Sequence, residues 1–356
     1  MRLGFIGLGA VVETAYLPAL QRLLPKVDVV SGFDTDAARS PAGVRRCTSL
    51  QALLANSLDL VLVTTSSVNH LDALEAALAS KVRRIVVEKP VVADLGQIDR
   101  LKALLESPTV AARVLALDHW MARSAGLAGG SVGAEWLGAD ARPRFALADI
   151  ARIEGFLQEP SGFNEAGEPI ALNFATRTPD TRTLRHPDGV ILDIGTHVLA
   201  LIRELVHALG GEDSLALELV EAKDRLDQPI AKGDFETAEG RARLEGRVGG
   251  IPVVLRLDKY AGPGGGQKGV RFHLRDGRTI SQDMRDGHDV IELFDGAHES
   301  RWQRAGPIYG HCIANELLGP RNVFEAAPGL ASGMTRRRIA EVETLLRIQQ
   351  GLRGPH

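Results

Sequence analysis

Residues 1–20 read MRLGFIGLGAVVETAYLPAL, and the order of residue types along them decides the fold. Leu3–Ile6 is a short apolar run without polar alternation, the pattern of a strand buried on both faces. Gly7-Leu8-Gly9-Ala10-Val11-Val12 follows directly, and an amphipathic stretch at Ala15–Leu24, stopped by Pro25, predicts a helix. A glycine in the first place of such a turn permits a tight reversal. Gly9 lets backbone N–H groups and the helix N-terminus approach an anionic pyrophosphate. The last place of the spacing holds Val12 where Gly or Ala is usual, which loosens the helix–strand packing slightly. Arg2 before an apolar run also has the outline of a signal-peptide core. Glu13 breaks that run early and no small-residue cleavage site follows, so the strand is preferred.

Working outward, further buried runs stand at Val27–Phe33, Leu58–Thr64, Arg84–Val87 and Val110–Leu117. Amphipathic stretches at Asn69–Ala79 and Asp94–Leu105 alternate with them, with Asn69 and Asp94 as N-caps. Strands alternating with helices predict an α/β fold, a doubly wound parallel sheet over residues 1–120. Beyond Trp120 the texture changes. Residues 124–142 are rich in Gly and Ala and read as a loop or short helix. Strands are expected at Phe145–Ile153, Leu215–Ala222, Ala242–Val248, Pro252–Leu257, Val270–Leu274, Thr279–Asp283 and Val290–Phe294, several separated by tight turns such as Gly249-Gly250 and Asp276-Gly277. A helix over Val190–Leu209 and another over Thr335–Gln350 complete a second, α+β domain, residues 121–356, with a largely antiparallel open sheet. The final helix, about 335–350, is expected to pack back on the first domain.

Composition excludes several classes. A chain of 356 residues favours two cores over one. Its formal net charge is −3, so no Lys/Arg surplus exists to hold a nucleic-acid backbone. No apolar run approaches the roughly 20 residues of a membrane span. Cys47 and Cys312 match no metal-ligand spacing, no metal is expected, and the pair suits a reducing cytoplasm.

Three constellations carry chemistry. Asp34 ends the second strand, where an acid accepts hydrogen bonds from adenosine ribose hydroxyls and repels a 2′-phosphate, favouring NAD over NADP. Glu88-Lys89-Pro90 comes just after a buried parallel strand, whose carboxyl end faces the ligand crevice; a lysine there can donate a hydrogen bond or relay a proton. Asp193-Ile194-Gly195-Thr196-His197 lies within the predicted helix, and its i, i+4 spacing puts acid and imidazole on one face, a general-base arrangement.

With these residues in hand the sequence resembles the Gfo/Idh/MocA oxidoreductase family over most of its length. The anchors are GLGAVVETAYLPAL (7–20), VTTSSVNHLDALEAAL (63–78), EKP (88–90) and DIGTH (193–197). The resemblance implies a Rossmann domain followed by an α/β domain whose open sheet often forms the subunit contact, hence a homo-oligomer. It implies catalytic roles for Lys89 and His197, with Asp193 positioning the substrate and the imidazole. Thr65, Ser66, Asn69 and His70 would line the cofactor groove, with Gly7, Gly9, Val11, Val12, Asp34 and Glu88. The chain departs from the family at Thr65-Ser66-Ser67, where Thr-Pro is common. Its Asp118-His119-Trp120-Met121-Ala122-Arg123 is instead similar to a run of glucose-6-phosphate dehydrogenases that holds a sugar phosphate, so His119 and Arg123 are candidate anion-binding residues.

The function expected is hydride transfer between nicotinamide and a carbinol or carbonyl carbon of a sugar, cyclitol or related polyol. A non-catalytic dinucleotide-binding sensor and a reductase of an imine or C–X bond are the alternatives. Weaker features surround the core argument. Gly262–Gly269 lacks the context of a phosphate loop and reads as a mobile hairpin connection. Arg336-Arg337-Arg338 reads as a solvated helix face. Arg177, Arg182, Arg185 and His186 precede the catalytic helix and suit an acidic or polyhydroxylated ligand.

Overall fold

The computed structural model describes residues 1–23, 27–124, 127, 145–172, 178–180, 184–319 and 322–354. The chain divides into two compact units, Met1–Ala122 with Pro307–Val342, and Arg123–Gly306 with Glu343–His356. The first boundary falls two residues from the expected one. The segment Pro307–Val342 joins the first unit, whereas the sequence reading gave it only part of the terminal helix.

The first unit is built on six parallel strands: β1 (Arg2–Ile6), β2 (Val29–Phe33), β3 (Arg45–Arg46), β4 (Leu60–Val63), β5 (Arg84–Val87) and β6 (Val114–Ala116), in spatial order β3-β2-β1-β4-β5-β6. The order reverses between β1 and β4, the switch point at which doubly wound sheets hold ligands. Register brings the strand ends to one level: Ile6 pairs with Phe33 and Val63, Val63 with Val87, and Val87 with Ala116. Gly7, Thr64, Glu88 and Leu117 each add one more ladder bond beyond their strand, to Phe33, Ile6, Val63 and Val87. The residues singled out from sequence therefore leave the sheet from a common edge. The five sequence runs are recovered, except that Val110–Leu117 splits into a short helix, Pro108–Ala111, and β6. Asp94 caps its helix by accepting from Gln97 N (2.8 Å). Asn69 makes no such cap and donates to Ser66 Oγ (2.9 Å). In the returning segment Thr335 Oγ1 donates to Val114 O and accepts from Ala116 N, both at 3.0 Å, tying the last helix, Leu330–Arg353, to β6. Arg336 is exposed, but Arg337 and Arg338 are buried, and Arg338 holds Glu341 at 2.6 Å. The solvated face expected there is one residue wide, because this helix runs through the unit.

The second unit carries an eight-stranded mixed sheet. Its strands are β7 (Ile150–Gln158), β10 (Leu215–Lys223), β11 (Arg241–Val248), β12 (Ile251–Asp258), β13 (Lys268–Leu274), β14 (Thr279–Arg285), β15 (His288–Phe294) and β16 (Glu299–Ala305). β8 (Ser161–Phe163) and β9 (Pro169–Ala171) form a separate hairpin. The large sheet is ordered β10-β11-β12-β7-β13-β14-β15-β16 and is antiparallel throughout except for β7 beside β12. Gly249-Gly250 (φ 55° and 79°) closes the β11–β12 hairpin as its residues predict. β3, β8, β9 and β16 were not expected; they are short or polar and give no apolar signal. Residues 125–126 and 128–144 of the Gly/Ala-rich stretch, Pro25, Arg177 and Arg182 lie outside the described residues.

The helix expected over Val190–Leu209 is two helices, Val190–Asp193 and Gly195–Ala208, interrupted at Ile194 (φ −109°, ψ −18°). Close packing fixes the second one. A Cβ at Gly155, in the middle of β7, would stand 2.3 Å from Val198 Cγ1, so the helix lies against a strand that has no side chain there. Gly262–Gly269 is bound along the end of β7 and not loose: Gly262 N donates to Ser161 Oγ, Ser161 N to Gly262 O, and Gln267 N to Gln158 Oε1. Among the described residues no helix is long and apolar enough to cross a membrane.

Candidate active site

In the first unit the glycine turn is shaped by what surrounds it. Gly7 has φ +96°, and a Cβ on it would lie 2.6 Å from Thr65 N and 2.7 Å from Thr64 O. Thr64 Oγ1, which the sequence reading passed over, donates to Gly7 O at 2.7 Å and closes the turn onto β4. At Gly9 no atom lies within 4 Å of where a Cβ would stand, which leaves open space before the helical residues 10–21. That helix contains a π-helical turn, Val12–Tyr16, with Val12 fully buried. The Asp34 carboxylate braces the turn, accepting from Leu8 N (2.6 Å) through Oδ2 and from Asp36 N (2.8 Å) through Oδ1. Each oxygen keeps further acceptor capacity for a ribose hydroxyl. Gly7→Ala is expected to lower the melting temperature and to erase the extra stabilisation given by a bound dinucleotide, because both strain and clash fall at the turn, about 1–3 kcal/mol for the backbone alone. Thermal melts with and without NAD test it; an unchanged ligand-induced shift overturns it.

The π-helical turn delivers Tyr16 onto Glu88. The Tyr16 hydroxyl donates to Glu88 Oε1 at 2.5 Å, and Lys89 N donates to Oε2 at 3.0 Å. Burial pushes the Glu88 carboxyl above the usual carboxylate range, against the pull of Tyr16 and Lys89, and burial with the Glu88 charge pushes the Tyr16 phenol well above its own. Glu88 thus fixes the backbone from which Lys89 projects. Tyr16 meets Tyr309 edge to face (5.3 Å), and Tyr309 stacks on His119 at 3.8 Å. His119 is consequently buried in an aromatic column.

His70 is only 1% exposed. Its Nδ1 lies 2.7 Å from Pro90 O and its Nε2 3.0 Å from Thr65 O, so it braces the two loops from beneath. Burial lowers its imidazole below the ordinary histidine value, against both carbonyls. Thr65 and His70 are brought together directly, whereas Ser66 and Asn69 stand at the surface.

In the second unit His197 is buried in the first turn of Gly195–Ala208. Asp193 precedes the break and its carboxylate is met by Lys259, a residue absent from the sequence-derived set. The signal was available: Lys259 follows a predicted apolar strand just as Lys89 does. Arg123, expected to bind an anion, has a side chain with 0% exposure. Its Nη2 and Nε hold Asp289 Oδ1 at 2.8 and 3.2 Å, while Gln282 donates to Asp289 Oδ2 and to Arg123 O. Those bonds engage Nε and Nη2 of the guanidinium inside the sheet unit. A cavity of about 550 Å³ opens in the same unit, with Asp180, Arg185, Arg225, Thr237 and Tyr260 in its wall. Its size falls within the roughly 300–1,000 Å³ of small-ligand pockets.

Residues 1–115 match the family model described as Gfo/Idh/MocA, oxidoreductase family, NAD-binding Rossmann fold. Over that stretch the first unit is similar to the NAD-binding domain of this family. No curated protein sequence matches the chain. Among solved structures the chain is similar to UDP-N-acetylglucosamine 3-dehydrogenase GnnA from Acidithiobacillus ferrooxidans, at 17% identity and TM-score 0.65 over 99% of each chain. It is also similar to KijD10, a 3-ketoreductase from Actinomadura kijaniata in complex with NADP and TDP-benzene, at 17% identity and TM-score 0.64 over 99% of this chain and 97% of that one. Both likenesses establish the fold along the full chain. The matched model describes an NAD-binding fold, and the residues present fit a nicotinamide dinucleotide: the tight glycine turn, the open space at Gly9 and the braced Asp34 carboxylate would meet its pyrophosphate and ribose.

Proposed function

We propose that the protein is an NAD-dependent dehydrogenase or reductase acting on a carbinol or carbonyl carbon of a sugar, cyclitol or sugar derivative. One observation carries this reading. The glycine turn, Asp34 and Glu88-Lys89 leave one parallel sheet from the same carboxyl edge, so a dinucleotide cradle after β1 and β2 and a cationic hydrogen-bond donor after β5 stand with β4 between them. When bound, the nicotinamide supplies the hydride donor or acceptor.

The rest falls to the chain. Lys89 donates a hydrogen bond to the oxygen on the reacting carbon and stabilises the developing alkoxide. His197 takes the hydroxyl proton in the oxidative direction and returns it in the reductive one. Asp193 accepts a hydrogen bond from a substrate hydroxyl. Asp34 takes the ribose hydroxyls and disfavours a 2′-phosphate, hence NAD. A sugar-like substrate is supported by the two similar solved structures, one a 3-ketoreductase and the other a UDP-N-acetylglucosamine 3-dehydrogenase. The cytoplasm suits Cys47 and Cys312, both buried and neither in a disulfide, and the eight-stranded sheet is the surface for self-association.

The test is a panel of polyols, sugars and nucleotide sugars read by NADH absorbance with NAD and NADP in parallel. Substrate-dependent turnover is expected, with NAD preferred about tenfold or more, equivalent to about 1.4 kcal/mol. Binding of NAD without turnover on any member of the panel returns the chain to the sensor class. Turnover only with carbonyl–amine mixtures returns it to the imine reductases.

A further inference from the structure

Asp193 has a partner from the sheet. Lys259, the first residue beyond β12, places its ammonium on Asp193 Oδ2 and stands 3.8 Å from Oε2 of Glu159, the first residue beyond β7. Among the described residues β7 and β12 are the one parallel pair in their sheet, in register from Ile153–Val253 to Gln158–Asp258, so both residues emerge at one carboxyl edge. The backbone there is bonded on both sides: Glu159 N to Asp258 O (2.8 Å), Ala261 N to Glu159 O (3.1 Å) and Lys259 N to Gly240 O (3.0 Å). The Lys259 side chain is 15% exposed and that of Asp193 27%, so the ammonium is enclosed while its carboxylate partner keeps an open side.

We propose that Lys259 is a positioning residue of the reaction, clamping Asp193 in one orientation with Glu159 as counterweight, so that Asp193 offers an ionised acceptor to a substrate hydroxyl. The proposal rests on the reading of Asp193 as a substrate-facing residue. Among the described residues the cluster sets two carboxylates against one ammonium. It therefore takes a neutral hydroxyl-bearing portion of the substrate and turns away a phosphate. Burial alone would lower the Lys259 ammonium; Asp193 and Glu159 outweigh it and hold it above the ordinary lysine value. Among the described residues Tyr260 also acts on Lys259; burial raises its phenol, and Arg225 and Asp180 act on it in turn.

The measurement is a carboxylate NMR titration of Asp193, assigned with Asp193→Asn, in wild type, Lys259→Met, Lys259→Arg and Glu159→Gln, beside pH profiles of kcat/KM. Loss of the ammonium raises the Asp193 pKa by about 1 unit or more, since an opposite charge within about 4–6 Å lowers a carboxyl by 1–3. Lys259→Arg restores it, and Glu159→Gln moves it down. The acid limb of kcat/KM follows in the same direction, with KM for the polyol rising while that for NAD stays. An Asp193 titration unmoved by both Lys259→Met and Glu159→Gln overturns the clamp. The titration needs no turnover, so an inactive wild type with a shifted Asp193 would sink the dehydrogenase reading alone.

Discussion

Lys89→Met is expected to lower kcat on the order of 10²–10⁴-fold, the usual contribution of a positioned acid–base group, while NAD binding changes little. Lys89 hangs from a backbone that Glu88 holds through its own N–H, and methionine keeps that N–H. Glu88 in turn is held by Tyr16, which the substitution does not touch. The backbone anchor and its Tyr16–Glu88 support are therefore kept while the charged donor is removed. Steady-state kinetics set beside NAD titration by fluorescence separate the outcomes. A kcat within tenfold of wild type would falsify the role of Lys89. A joint loss of NAD binding would mean that Lys89 serves the cradle instead.

The second large effect is on stability. Arg353 and Glu239 both have fully enclosed side chains and form an ion pair in the second unit. Gln349 donates to Glu239 Oε2 at 3.0 Å and to Pro187 O at 3.1 Å, and Arg353 Nη2 donates to Thr237 O at 2.8 Å. Removing one member leaves a buried charge without compensation, at a cost of about 3–5 kcal/mol. Arg353→Leu is expected to lower the melting temperature of this unit by roughly 6–20 °C, at 2–4 °C per kcal/mol for a unit of this size. The double variant Arg353→Leu/Glu239→Leu should recover part of the loss, because no orphaned charge remains. Calorimetry of the three proteins decides it, and a single variant melting within 2 °C of wild type disposes of the argument. The pair also matters for the site: Val190 N donates to Glu239 O, and Glu239 Oε2 occupies the space that a side chain at residue 189 would need. The helix bearing Asp193 therefore starts against this buried knot.

The first sheet was legible because its strands are buried on both faces, so Leu3–Ile6 and Arg84–Val87 are uninterrupted apolar runs. The glycine turn, Asp34 and Glu88-Lys89 were legible for the same reason, since each is the first polar or glycine break after such a run. Long-range partners were not. Nothing local to Arg123 foretells Asp289, 166 residues away. The break at Ile194 was hidden too, because helical periodicity runs unbroken through Asp193-Ile194-Gly195-Thr196-His197 while the chain departs for one residue. Tyr16 stood in the quoted N-terminal stretch, but its bond to Glu88 spans 72 residues and depends on a π-helical turn that no residue type announces.

The returning segment bears on how the molecule is made. Tyr309, which sits on His119, and Thr335, which grips β6, are both supplied by Pro307–Val342, and the second unit likewise takes in Glu343–His356. During synthesis, domains generally mature in order from the N-terminal end. Here the ribosome releases the whole nucleotide-binding sheet early, yet its aromatic column and its closing helix arrive only after nearly two hundred intervening residues of the other unit. A fragment ending at Ala122 would lack both, so the two units mature together rather than one after the other.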